Sequence, residues 1–379
     1  MSLLPRLLKP RLLPLYSKLP SHTIKPISIT SIQSRQFKMS TQNFIDPPST
    51  SKAPPSEVAG AGTRIDPDIT HHHPTRVPED APAKVSEHHK RTLPIFSLEG
   101  KTCVVTGGAR GLGYVMSQAF IESGANLAII DLNGEEAAKS ASTLLSTYTD
   151  SNPSSPAPKV TSHTCDVSNP DSVTSTFATI LETHNQIDVL VTSAGFTENF
   201  KAEEYPHSRM QKLWGVNVDG TYLCSTAVAR EWIKSGKKGG SIIMIGSMSG
   251  VAVNVPQPQA PYNASKAAVR QLAASFAIEW APHGIRVNCI SPGYMMTALT
   301  KKIIDEQPDL YNNWVSRIPA GRMGNPVDLM GAVVYLASDA SSYTTGELSY
   351  DRCRPSSTPL CILISVGADI RIDGGYTVI

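Results

Sequence analysis

A doubly wound α/β domain built on a central parallel sheet is what this sequence predicts, and three observations carry that reading. Short apolar runs of strand length alternate with stretches of helical pattern from about residue 100 onward, the order that builds parallel βαβ units. A glycine-rich turn, Thr106-Gly107-Gly108-Ala109-Arg110-Gly111-Leu112-Gly113, lies between the first run and the first helical stretch. The chain ahead of it is proline-rich and without periodicity, with 14 of the 29 prolines in the first 94 residues. The folded unit is therefore expected at 95–379, behind a disordered Pro-rich tail at 39–94.

The first strand is Lys101-Thr102-Cys103-Val104-Val105-Thr106, and helical character resumes from Tyr114 to Ser123. A glycine turn in that strand–turn–helix context cradles a pyrophosphate. The second strand, Leu127 to Ile130, ends in Asp131, 18 residues after Gly113. A carboxylate there can accept both ribose hydroxyls of an adenosine and repel a 2′-phosphate, which favours NAD. Arg110 points the other way, since a cation inside the turn can pair with that phosphate, and NADP stays open. The carboxylate carries more weight because it would be buried against a dianion, whereas Arg110 can turn to solvent. The third strand runs from Val160 to Cys165 and closes on Asp166-Val167; the fourth, Ile187 to Val191, leads into Thr192-Ser193-Ala194-Gly195. Two more βα units follow.

Tyr262 and Lys266, in Tyr262-Asn263-Ala264-Ser265-Lys266, are four residues apart and share one helix face. A phenol of ordinary pKa about 10 becomes a usable acid/base when a nearby cation lowers it. Ser247 ends the apolar strand Ile242-Ile243-Met244-Ile245 at the sheet edge where ligands of open α/β folds bind. It is placed to hydrogen-bond a reacting oxygen; Ser249 is a rival two residues on. Pro292-Gly293 lets the backbone pass close to a nicotinamide, and Thr297 can bond its carboxamide or a phosphate oxygen. The stretch Ala298 to Trp314 is expected to form a helical lid. Turn and pair together specify a nicotinamide-dependent alcohol/ketone oxidoreductase.

These residues resemble the short-chain dehydrogenase/reductase family over roughly 96–379. The TGxxxGxG turn at Thr106 to Gly113, Asp166, Ala194-Gly195, Asn217, Ser247, Tyr262 with Lys266, and Ser291-Pro292-Gly293 occur in the family's order. The resemblance implies a Rossmann-type single domain. It implies a cofactor site including Thr106, Gly107, Arg110, Gly111, Leu112, Gly113, Asp131, Asp166, Val167, Ala194, Gly195, Tyr262, Lys266, Pro292, Gly293 and Thr297. It also implies a catalytic set of Asn217, Ser247, Tyr262 and Lys266, in which Asn217 holds a water connecting Lys266 to solvent. One departure is Thr192-Ser193, where the family usually has Asn-Asn to steady the central strand. Within the family, Gly246–Gly250, Pro256–Tyr262, Ser291–Thr297 and Ala337–Gly346 are similar to fungal polyol dehydrogenases, the D-arabinitol 2-dehydrogenase group with its mannitol and sorbose/xylulose relatives. That implies a polyol/ketose substrate, for instance D-arabinitol to D-ribulose, and a homo-oligomer, dimer or tetramer. Two alternatives stand beside it: a mitochondrial 3-oxoacyl thioester reductase, and a catalytically weak binding or scaffold member of the fold.

Residues 1–45 hold seven Lys/Arg and no acid, which leaves 27 Lys/Arg against 32 Asp/Glu in the rest. That remainder gives no case for nucleic acid. Six cysteines without a CxxC pair fit a reduced compartment, and no metal site is expected, including at His71-His72-His73. The apolar runs are strand-sized, so no membrane span is expected. The basic, acid-free residues 1–38 look like a mitochondrial presequence cleaved after Phe37, giving a matrix enzyme; translation from Met39 would give a cytoplasmic one. Glu347 to Gly367 interrupts the expected run from Thr345-Gly346 into Ala368-Asp369-Ile370-Arg371-Ile372, the last strand starting at Asp369. This insertion reads as a translated intron, Gly346-Glu347 being compatible with a GGTGAG donor and Val366-Gly367 with a TAG acceptor; a genuine surface loop is the rival.

Overall fold

The computed structural model describes residues 93–346 and 369–378. The presequence, the Pro-rich tail, His71–His73 and the insertion lie outside the described residues. Seven strands form one parallel sheet: β1 (Thr102–Thr106), β2 (Asn126–Asp131), β3 (Val160–Thr164), β4 (Val189–Thr192), β5 (Ser241–Ile245), β6 (Arg286–Pro292) and β7 (Asp369–Ile372). Their order is β3-β2-β1-β4-β5-β6-β7, the doubly wound Rossmann arrangement. The order reverses between β1 and β4, and the crevice outside the carboxyl ends of those strands is where such sheets bind ligands.

Successive strand residues point to opposite faces, and both faces are covered. Val105, Ile129, Val191 and Ile243 pack with Met116 and Phe120 of α1 (Gly111–Glu122) and Val333 and Leu336 of α9 (Met330–Ala337). Val104, Ile130, Leu190 and Met244 pack instead with α3 (Pro170–His184), α5 (Gly220–Ser235) and α6 (Ala260–Trp280), through Phe177, Trp232 and Phe276. Burying each such side chain contributes about 1.5–3 kcal/mol, so the sheet is a rigid platform for the loops at its edge. The Asn133 side chain caps α2 (Gly134–Ser151), and Asn169 caps α3. α4 (His207–Trp214) runs into α5 through a π-type turn at Gly215–Asp219.

The stretch expected to form one helical lid is two helices: α7 (Ala298–Glu306) and α8 (Pro308–Val315). Pro308 has no N–H to continue the ladder, so the chain breaks at Gln307 and restarts with proline in its first turn.

β7 pairs with β6 from Cys289↔Asp369 to Pro292↔Ile372. One step back from Asp369, the register provides a position opposite Asn288 whose amide meets the Val287 carbonyl. Gly346 fills it, its N–H donating to Val287 O at 2.8 Å. Gly346 and Asp369 thus occupy successive positions along β6, about 3.3 Å of rise apart.

Candidate active site

The glycine turn connects β1 to α1 and fits a dinucleotide phosphate. A Cβ on Gly107 would fall 2.7 Å from Ala194 Cα, and one on Gly113 would fall 2.1 Å from Gly107 O, so side chains at either position would close the turn. Gly111 has φ +58°, in the left-handed region that glycine adopts without cost. No side chain caps α1 at Arg110, which leaves the first-turn N–H groups, including those of Gly111, Leu112 and Gly113, for an anion. The Thr106 hydroxyl accepts from Ala194 N at 3.2 Å and the Thr106 carbonyl from Ser193 N at 3.2 Å. This ties β1 to β4 directly, where the family usually relies on asparagines.

Beside the turn a groove of about 840 Å³ is lined by Arg110, Asp131, Leu132, Asn133, Gly134, Glu135, Ala138 and Thr164. The Asp131 carboxylate accepts from Ala109 N at 3.2 Å and from Asn133 N at 3.1 Å, so it is fixed facing the turn. The Arg110 side chain is 79% exposed and lies 4.0 Å from Glu136, drawn toward α2. Past β3, Asp166 Oδ1 accepts from the Ser168 N–H and hydroxyl, and Val167 is buried against Gly220. Arg110 and Asp131 thus line one groove beside the glycine turn, where the sequence expects the adenosine end of a nicotinamide dinucleotide.

β5 delivers Ser247 and α6 delivers Tyr262 and Lys266. Ser247 is in extended backbone; its hydroxyl accepts from Ser249 N at 3.1 Å and donates to the Ser249 hydroxyl at 3.0 Å. The two serines are thus hydrogen-bonded to each other. Burial pushes the Tyr262 phenol above its usual pKa, and a hydrogen bond with Ser247 pulls it the other way. Lys266 is buried, and desolvation lowers its pKa to about 8. Its Nζ lies 5.8 Å from the Tyr262 ring centroid and donates to Ile245 O at 2.8 Å. The cation thus adjoins the ring without bonding the phenol oxygen, because a strand-end carbonyl takes it first.

Asn217, inside the π-type turn, is held on both ends of its amide. Its Oδ1 accepts from Phe196 N at 3.0 Å, and its Nδ2 donates to Phe196 O at 3.0 Å and to the Ser265 hydroxyl at 3.1 Å. Ser265 donates to the Tyr262 carbonyl at 2.7 Å, so Asn217 reaches the catalytic helix through its neighbour. Gly195 lies between: a Cβ there would sit 3.1 Å from Asn217 Oδ1 and 3.7 Å from Lys266 Nζ. At the end of β6, Gly293 passes so close to Asp373 that a Cβ would come within 2.7 Å of its Cα. Thr297 caps α7, accepting from Thr300 N at 3.2 Å.

Sequence reasoning missed a polar network on the segment that leads into α6. Buried Asn254 donates to the Tyr294 hydroxyl at 3.1 Å and accepts from buried Gln259 at 2.8 Å; Tyr294 donates to Gln257 at 3.3 Å. Tyr294 also stacks on Trp314 of α8, with centroids 4.5 Å apart, and meets Tyr376 edge-on. The only local signal was the density of amides between Asn254 and Asn263, without an indication of what they would face.

The family model described as "Enoyl-(Acyl carrier protein) reductase" matches residues 107–350. The D-arabinitol 2-dehydrogenase [ribulose-forming] of Candida tropicalis is 44% identical over 259 residues, 67% of this chain and 92% of that protein. The NADH-dependent L-xylulose reductase of Ambrosiozyma monospora is 38% identical over 75% of this chain and 98% of its own. The structure of a gluconate 5-dehydrogenase from Burkholderia cenocepacia, in complex with NADP and tartrate, superposes with a TM-score of 0.64 at 29% identity, over 76% of this chain and all of that one. With the family model matching residues 107–350 and relatives of 38% and 44% identity covered over more than nine-tenths of their length, the chain belongs to the short-chain dehydrogenase/reductase family and is an NAD(P)-dependent oxidoreductase acting on CH–OH groups.

Proposed function

We propose that the chain interconverts a polyol and its 2-ketose, with D-arabinitol and D-ribulose as the leading pair. The observation that carries this reading is the 44% identity to the ribulose-forming relative. Supporting it, Asn254, Gln257, Gln259 and Tyr294 join amide and hydroxyl groups in one network on the segment leading into α6 and the loop after β6, which suits a polyhydroxylated ligand. When bound, the nicotinamide supplies hydride acceptance or donation. This chain's residues do the rest. Ser247 holds the reacting oxygen by hydrogen bond, Tyr262 exchanges its proton, and Lys266 keeps positive charge beside the phenol. Product analysis after D-arabinitol oxidation tests the regiochemistry: D-ribulose supports oxidation at C2, and D-xylulose would contradict it.

Burial of Tyr262 sets the pH dependence. A phenol raised above its ordinary pKa is protonated at neutral pH, ready to donate to a ketose but not to accept from an alcohol. Oxidation is expected to accelerate with rising pH across about 7 to 10, as the small phenolate fraction grows, while reduction is not limited by Tyr262 until the pH passes about 10. Lys266, at about 8, loses its charge within that range, which places a second, lower inflection on both profiles. Initial rates in both directions check this, and a flat oxidation profile would contradict it.

NAD is the proposed cofactor, on the carboxylate of Asp131 held toward the glycine turn and the displacement of Arg110 toward Glu136. Asp131→Ala is expected to raise the NADP:NAD ratio of kcat/KM by about tenfold to a hundredfold, the size of one removed charge repulsion at a partly exposed site. An unchanged ratio would pass control to Arg110.

Matrix location through residues 1–38, with Met39 as a cytoplasmic start, remains the proposal for targeting. Exposed Tyr222 and Ile233 on α5 and Ile278 on α6 support pairing of copies through these helices as a dimer or tetramer. Among the described residues, no helix is long and apolar enough to cross a membrane.

A further inference from the structure

We propose that Arg270 is a positioning residue for the reaction, bracing the Gly246–Gly250 segment that carries Ser247, with Asp369 of β7 as its counter-charge. The inference rests on Ser247 and Tyr262 being the reacting pair. Arg270 lies on α6 one turn beyond Lys266 and two beyond Tyr262, on the same face. Its Nε donates to Asp369 Oδ2 at 2.6 Å, with the side chains 14% and 1% exposed. Its Nη1 donates to Gly250 O at 3.3 Å. A Cβ on Gly246 would meet Arg270 Cγ at 3.4 Å, so the stem lies in the space that residue leaves open. Arg270 therefore touches both the residue before Ser247 and the last residue of its turn.

The turn is also pressed onto the catalytic helix, since a Cβ on Gly250 would fall 2.8 Å from the Lys266 carbonyl carbon. Within it, the Ser249 N–H aims the Ser247 hydroxyl. Shifting the turn shifts that hydroxyl relative to Tyr262, while Tyr262 and Lys266 stay with α6. The ion pair is a poor device for stability alone. Asp369 Oδ1 is buried without a partner among the described residues, and a buried pair with an uncompensated oxygen offsets little of its desolvation. Its other consequence is geometric: it joins the last strand, the catalytic helix and the serine turn through one planar group.

The test compares Arg270→Met, Arg270→Lys, Asp369→Asn, Ser247→Ala and the Ser247→Ala/Arg270→Met double variant. It measures kcat, KM, NADH affinity and the pH profile of kcat for the preferred polyol. The groups facing Tyr262 are Ser247 and Lys266, with Cys289, Arg270 and Asp369 behind the turn. Arg270→Met is expected to lower kcat by about ten- to a hundredfold, as a misplacement near 1 Å does, with NADH affinity unchanged. Its pH inflection should move upward, as in Ser247→Ala, and Arg270→Lys should recover part of the loss. The double variant should be no worse than Ser247→Ala, because both act through one hydroxyl. Multiplicative losses, or a lower melting temperature with kcat intact, would overturn the proposal. If Arg270→Met does not fold, Arg270→Lys and Asp369→Asn decide by the same readouts. Full turnover by Ser247→Ala would instead sink the reading of the site itself, and this proposal with it.

Discussion

Tyr262→Phe is expected to cut turnover by about 10²- to 10⁴-fold, the range that a positioned acid/base supplies, while nucleotide binding is retained. The substitution removes only the phenol oxygen. The ring that Lys266 overlies at 5.8 Å remains, as does the backbone carbonyl that Ser265 holds, so helix α6 has no reason to move. Loss of proton transfer is then separable from loss of structure. Steady-state rates and titration of NADH fluorescence on one preparation make the comparison. Ordinary turnover in the variant would remove Tyr262 from the mechanism and reopen the search for the acid/base.

The second large effect concerns Glu347 to Gly367. Gly346 and Asp369 stand at successive positions beside β6, so the two flanks of the segment lie close together. Joining Gly346 to Ala368 asks for one residue of adjustment at the entry of β7 and leaves the paired register of that strand untouched. Closing an excursion of this length costs about 2–3 kcal/mol of chain entropy. The shortened variant is accordingly expected to melt about 5 °C higher and to turn over at least as fast. A lower melting temperature or lost activity would make the segment part of the working enzyme. We read it as a translated intron, and the sequence of the mature transcript tests that origin separately.

Legibility in the sequence followed the range of the interactions. The glycine turn, Asp131 and the Tyr262/Lys266 pair are local: covalent spacing on one turn or one helix determines where they point, and strand-length apolar runs determine the sheet. Pro308 was equally local, but the apolar spacing of Leu310 and Trp314 reads straight through it, and the stretch from Ala298 to Trp314 came out as one helix instead of two. What sequence did not reveal depends on side chains meeting from distant segments. Arg270 and Asp369 are 99 residues apart, Tyr294 meets Trp314 only because α8 folds back, and Lys266 turns to Ile245 O because β5 ends beneath it. No periodicity encodes those meetings.

The measurement that tests the central claim most directly is a set of initial rates for the full chain and for the variant lacking 347–367. It covers pentitols, hexitols and their ketoses, with NAD and NADP in parallel and a 3-oxoacyl thioester alongside. Turnover of D-arabinitol, faster with NAD and lost in Tyr262→Phe, is the result expected. Silence on every polyol and ketose with nucleotide still bound, together with reduction of the thioester, would contradict it.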